Sequence, residues 1–129
     1  MDESRRHVDG LSMRRTVLGT AHVDQATAAT TPLTSEFQDL ITRYVWGEIW
    51  TRPGLNVRSR RILVIGTMVA LGRWEELRMH LRAAIVEGGF EPDELKEILL
   101  QQAVYCGVPA GHRAFAELSA VVAEQGRAD

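Results

Sequence analysis

The stretch Trp74-Glu-Glu-Leu77-Arg-Met-His80-Leu81-Arg-Ala-Ala84-Ile85-Val-Glu87-Gly88-Gly89 decides the fold class. Counted from Leu77 at helical spacing, His80, Leu81, Ala84 and Ile85 share one face, and Gly88-Gly89 stops the helix where a left-handed terminus costs little. The pattern recurs on both sides. Upstream, Ser35 and Gln38 stand in capping-box register, and Phe37, Leu40, Ile41, Tyr44 and Val45 repeat at helical spacing up to Glu48. Thr51-Arg-Pro-Gly54 ends that helix, because a residue before proline disfavours helical geometry. From Val57 to Leu71 the chain is polar only at its start and then apolar nearly all round, as expected for the buried centre of a bundle, and Gly72 closes it. Downstream, Pro92 opens a helix with Asp93 and Glu94 in its first turn and Leu95, Ile98, Leu99, Gln102 and Cys106 on its inner stripe. Gly107-Val-Pro109 breaks the chain. A last helix from Ala110 to about Glu124 presents Ala114, Phe115, Leu118, Val121 and Val122.

No segment alternates as a strand, so the expected class is all-α, an antiparallel helix bundle. Residues 1–33 read as an N-terminal arm with short helices around Met13–Leu18 and Val23–Ala29, residues 34–126 as a single helical domain, and 127–129 as a tail. A chain of 129 residues suits one domain without a disulfide or metal staple. A net charge of −2 and a pI near 6.1 lack the concentrated basic excess of a nucleic-acid binder. The longest apolar run, Ile62 to Leu71, is too short for a membrane span, and the single cysteine, Cys106, excludes an intrachain disulfide. With no apolar leader at the N-terminus, the expected setting is cytoplasmic. All the basic side chains except Lys96 are arginine, which suits an acidic substrate, although codon usage in a GC-rich genome is the simpler source of the skew. There is no Gly-rich phosphate loop, no Cys/His cluster with metal spacing and no Ser-centred elbow, so no cofactor and no metal are expected.

Four stretches carry a resemblance. They are Met13-Arg-Arg-Thr-Val-Leu-Gly-Thr-Ala-His-Val-Asp24, Phe37 to Leu55 with its core Trp46-Gly-Glu-Ile-Trp-Thr-Arg-Pro-Gly54, Glu76-Leu-Arg-Met-His-Leu-Arg-Ala-Ala84, and Glu97-Ile-Leu-Leu-Gln-Gln-Ala-Val-Tyr-Cys-Gly-Val-Pro-Ala110. Together they resemble the carboxymuconolactone decarboxylase family, within the alkylhydroperoxidase D-like superfamily. Peroxidases of that superfamily carry Cys-x-x-Cys-x-x-x-His. With His80 as the histidine, the cysteine positions fall on Arg73 and Glu76 and an upstream relay glutamate falls on Arg61, so dithiol chemistry is excluded. At Ala110-Gly-His112-Arg113 the chain departs from the Ala-Ala-Asn-type sequence of the decarboxylases.

The resemblance implies cofactor-independent decarboxylation of 4-carboxymuconolactone to the beta-ketoadipate enol-lactone, in protocatechuate degradation, by a homo-oligomer, hexamer or trimer. The alternatives are a related enzyme acting on another small lactone or acid, and a non-catalytic ligand-binding or assembly protein. Such a reaction asks for cations on a spectator carboxylate, a donor to the developing oxyanion and an acid that protonates carbon. His80 is the candidate acid, against the reading of a hydrogen-bonded core histidine. Glu48, on the continuation of the Phe37 stripe, is the second catalytic candidate, able to orient His80 or an arginine if it does not turn to solvent. Arg52 and Arg60 are candidates for the substrate carboxylate, and Trp46 and Tyr105 for the walls of the pocket, although such residues serve equally as surface cations and core aromatics. Cys106 reads as inert packing and His112 as a surface histidine.

Overall fold

The computed structural model describes residues 2–128. Every regular element among them is helical: α1 (Glu3–Leu18), α2 (Thr20–Ala28), α3 (Ser35–Ile41), a π-helix (Thr42–Ile49), α4 (Val57–Leu71), α5 (Trp74–Val86), α6 (Pro92–Cys106) and α7 (Val108–Ala128). The all-α class expected from spacing is the observed one. These helices form two compact units, the first ending at Val57 and the second beginning at Arg58. The expected division at 33/34 therefore does not coincide with the observed one, since the arm belongs to the same unit as the Ser35 helix. At the other end α7 runs on to Ala128, into the segment expected as a tail, and Asp129 lies outside the described residues.

In the first unit, α1 is far longer than the short helix expected around Met13–Leu18. Asp2 caps it by accepting from the Arg5 N–H at 2.7 Å. What holds the rest is polar: Arg6 Nε donates to Glu48 Oε2 at 3.1 Å, Arg43 Nη1 to Glu3 Oε2 at 2.6 Å, and His7 Nε2 lies 3.3 Å from Asp39 Oδ1. An apolar period cannot announce a helix tied down by distant charges. The approach of α1 to the π-helix is set by two glycines. A Cβ on Gly10 would lie 2.0 Å from the Thr42 carbonyl oxygen, and one on Gly47 would lie 2.3 Å from that of Arg6. Two expectations fail on α3. Its N-cap, Thr34, makes no capping bond from its side chain to the helix, and Phe37 and Leu40, like Tyr44 on the π-helix that follows, are exposed rather than buried.

In the second unit, named contacts fix the topology. Arg58 pairs with Glu94 and the Gln102 amide donates to the Gly66 carbonyl at 3.1 Å, so α4 and α6 run parallel. Arg78 Nε donates to Glu117 at 2.5 Å and Arg82 Nε to Glu124 at 2.8 Å, so α5 and α7 also run parallel. A Cβ on Gly111 would sit 2.8 Å from that of Ala103, which shows α6 and α7 folding back at Gly107, where φ is 101°. Consecutive helices are thus antiparallel. Leu77, Leu81, Ala84, Leu95, Leu99, Ala114, Leu118 and Val121 form the core with Ile65 and Val69. The Pro92 turn is as expected, with a capping box in which the Glu91 N–H donates to Glu94 Oε1 at 2.9 Å. α4 is not the buried centre that its composition suggested: Arg61, Ile65 and Val69 face inward, while Ile62, Leu63 and Leu71 are exposed. No described helix is long and apolar enough to cross a membrane.

Helix propensity alone would make Gly10→Ala stabilising by about 1 kcal/mol. The carbonyl 2.0 Å from the new methyl reverses the sign, and a net loss of about 1–3 kcal/mol is expected in denaturant melts; a gain would show that the contact relaxes freely. Glu117 supplies a second test. Burial pushes its carboxyl up, but hydrogen bonds from Arg78 and Arg113, with their charges, hold it below the ordinary glutamate value. A carboxylate with a depressed folded-state pKa adds stability above its unfolded pKa and loses it as the pH falls through the folded one. Wild type should accordingly lose more stability than Glu117→Gln between pH 7 and about pH 3, and equal losses would remove this pair of ion pairs from the acid response.

Candidate functional site

The π-helix holds the chemistry-bearing residues of the first unit. The Trp50 N–H donates to the Val45 carbonyl at 3.0 Å, a bond across five residues that belongs to a widened turn, and such turns concentrate at functional sites. Threonines at its two ends take up backbone carbonyls: Thr42 donates to Gln38 at 2.7 Å and Thr51 to Gly47 at 2.8 Å. Hydroxyls bonded back to the preceding turn favour bending away from the α ladder. Trp46 and Trp50 are both buried and stack, with ring centroids 5.1 Å apart and planes inclined by 28°.

Glu48 is half-buried, for a reason other than the one its spacing suggested. The Phe37 stripe that it continues is exposed; Glu48 is held instead by Arg6 at 3.1 Å, with Arg52 Nη1 at 3.9 Å from its other oxygen. The carboxylate contacts of Glu48 shown here are with these two arginines. Arg52 itself projects outward with 62% of its side chain exposed. Arg6 was not legible as part of this group, because it lies 42 positions from Glu48 and no local pattern links the two.

In the second unit His80 sits at the border of the inner face of α5. Leu77, Leu81 and Ala84 beside it are fully buried, whereas His80 and Ile85 are half-buried. Arg73 and Glu76, where the peroxidase thiols would stand, are both exposed. Of the two arginines that open α4, Arg60 is half-buried and Arg61 is the buried one, at 3% exposure. A Cβ on Gly88 would meet Arg61 Nε at 2.8 Å, so this guanidinium lies against the carbonyl end of α5, where a cation is favoured. Burial pulls the Arg61 pKa down and Glu87 counters in part. Tyr105, expected as a pocket wall, is 79% exposed, and His112 is exposed as its position suggested. The cysteine Cys106 is half-buried. Among the described residues no three of His, Cys, Asp and Glu stand together as ligands for a metal ion. The candidates therefore divide: Trp46, Glu48 and Arg52 lie in the first unit, and Arg60, His80 and Tyr105 in the second.

Comparison with known proteins gives this arrangement a family. The chain is 42% identical over 114 residues to the 4-carboxymuconolactone decarboxylase of Acinetobacter baylyi, covering 88% of this chain and 84% of that one. It is 40% identical over 111 residues to a nitrosuccinic acid decarboxylase of Metarhizium robertsii, covering 84% of this chain and 77% of that protein. A 4-carboxymuconolactone decarboxylase sequence from Pseudomonas putida matches at 44% over 48 residues, 37% of this chain and all of that sequence. The profile of the carboxymuconolactone decarboxylase family matches residues 35–120, from the first turn of α3 well into α7, and the chain belongs to that family.

Proposed function

We propose that this protein is a carboxy-lyase that converts 4-carboxymuconolactone to the beta-ketoadipate enol-lactone without a metal or organic cofactor. The observation that carries this reading is the 42% identity, over 88% of the chain, to the A. baylyi enzyme of that name. The unsaturated lactone supplies its own electron sink. As the carboxylate leaves as carbon dioxide, its electron pair runs through the ring double bond onto the lactone carbonyl. A proton delivered to carbon then completes the enol-lactone.

His80 is the acid in this reading: as imidazolium it gives that proton to carbon, becomes neutral and is reprotonated from solvent. Its place at the edge of the α5 core supports the role, since the ring is packed on one side yet retains access on the other. Arg52 in the first unit and Arg60 in the second are the two candidates to hold the spectator carboxylate, as the planar guanidinium fork favours. Glu48, braced by Arg6, is a positioning residue that aims Arg52. Trp46, buried in the first unit, remains a candidate wall residue, and Tyr105 serves only where another surface covers it.

That covering surface is a second copy in the assembly we propose, a cytoplasmic homo-oligomer, trimer or hexamer. Leu63, Leu100, Val104 and Tyr105 are exposed in the second unit, and a groove of about 550 Å³ runs between α4 and α6. In the first unit Phe37, Leu40 and Tyr44 are exposed as well. Apolar surface on this scale is uncommon on a monomer.

The M. robertsii relative favours a second reading, decarboxylation of another small acid. Nitrosuccinate also loses a carboxylate beside an electron-withdrawing group while keeping a second one, so the same cations and acid would serve.

Purified protein in a chelator-treated buffer should accelerate decay of the lactone's ultraviolet absorbance over the spontaneous rate. No acceleration with the lactone, but turnover of nitrosuccinate, would move the assignment to the second reading. His80→Ala is expected to lower kcat at least about a hundredfold with the fold retained, and near-normal turnover would remove His80 from the mechanism. Arg52→Ala and Glu48→Gln should both raise KM about tenfold or more with a smaller change in kcat. If only Arg52→Ala does so, Glu48 does not act through Arg52.

A further inference from the structure

Arg14, on the buried side of α1, is only 9% exposed and has no carboxylate partner among the described residues. Its one hydrogen bond joins Nη1 to the side-chain oxygen of Gln38 at 3.1 Å, and its buried Nε–H has no acceptor among the described residues. A buried cation without a counter-charge costs several kcal/mol in an ordinary interior, so such groups are found paired or facing a ligand. Burial pulls the Arg14 pKa below the ordinary arginine value, with no carboxylate offsetting it, and its charge depresses nearby His22 after burial has done so.

The same guanidinium lines a cavity of about 540 Å³ in the first unit. Arg15 lines it too, and its buried Nε–H is likewise without an acceptor, although its terminal amino group holds Asp24 at 3.1 Å. Thr27 and Ser35 line the cavity as well, and their hydroxyls make no hydrogen bond among the described residues. Two carboxylates also line it. Asp39 is already engaged by His7 and Arg43, and Glu36 makes no pair with Arg14. The lining is thus rich in donors, and Arg14 is the cation in it that no described carboxylate engages.

We propose that this cavity binds a small oxyanion, a carboxylate or an inorganic phosphate, whose charge neutralises Arg14 and whose oxygens accept from its guanidinium and from the hydroxyls of Thr27 and Ser35. The site is assigned from the first unit alone and does not depend on the decarboxylase reading.

The test uses the full chain, with succinate and phosphate as probes at constant ionic strength set by potassium chloride. In nitrogen–proton spectra of the arginine side chains, one of the two probes should shift the Arg14 Nε–H signal saturably. The melting temperature should rise by about 10 °C at a hundred times the dissociation constant. Thr27→Val with Ser35→Ala, two substitutions at exposed positions, should weaken that binding about three- to tenfold without loss of fold. Arg14→Gln, where it folds, should abolish the response. A response to succinate alone identifies a carboxylate site, and a response to phosphate alone or to both identifies an oxyanion site of broader range. An Arg14 signal that ignores both probes, or that follows protein concentration because a second copy supplies the carboxylate, overturns the proposal. So does an undiminished melting response in the double or Arg14 variants.

Discussion

How near α1 can come to the π-helix governs the first unit, and that distance is set by the missing side chains of Gly10 and Gly47. With backbone against backbone, Arg6 reaches Glu48 and Glu3 reaches Arg43, and the segment that carries Trp46 and Glu48 is braced by charges from the start of the chain. A methyl group at either glycine would push α1 outward, and those ion pairs lengthen together. Surface ion pairs add little when taken singly. Here they act as positioning devices, and the glycines make their geometry possible.

The second unit follows a different logic. Apolar stripes on α5, α6 and α7 make the core, and the ion pairs run along its outside. Glu117 is the exception, a buried carboxylate that takes one guanidinium on each oxygen, from Arg78 and from Arg113. It links the polar edge of α5 to α7 beside the apolar core that the two helices share.

This contrast explains what could be read from the sequence. Leu77, Leu81 and Ala84 on α5, and Pro92 with Glu94 on α6, are local signals, and the helices they announced are present with their expected faces. α1 was legible only in its last turn, because its partners Asp39, Arg43 and Glu48 lie far away in sequence and carry charge rather than apolar area. The composition of α4 and the stripe on α3 both promised burial. The exposed Leu63 and Phe37 show that apolar spacing marks a face to be covered without saying by what. Among the candidate residues, His80 was legible because it interrupts an apolar stripe. Arg14 was visible only as half of an Arg-Arg pair, since its burial without a counter-charge is a property of three dimensions.

The π-helix has a consequence for how this segment tolerates change. A turn closed across five residues rather than four shifts the angular phase of everything after it. Beyond the contacts made by Thr42, Trp46, Gly47 and Glu48, the segment Thr42–Ile49 must also keep its number of residues. Loss of one residue would let the ladder relax to α geometry and swing Trp50, with the turn that bears Arg52, round the axis relative to α1. The segment is therefore also a spacer, whose length carries information in addition to that of its side chains.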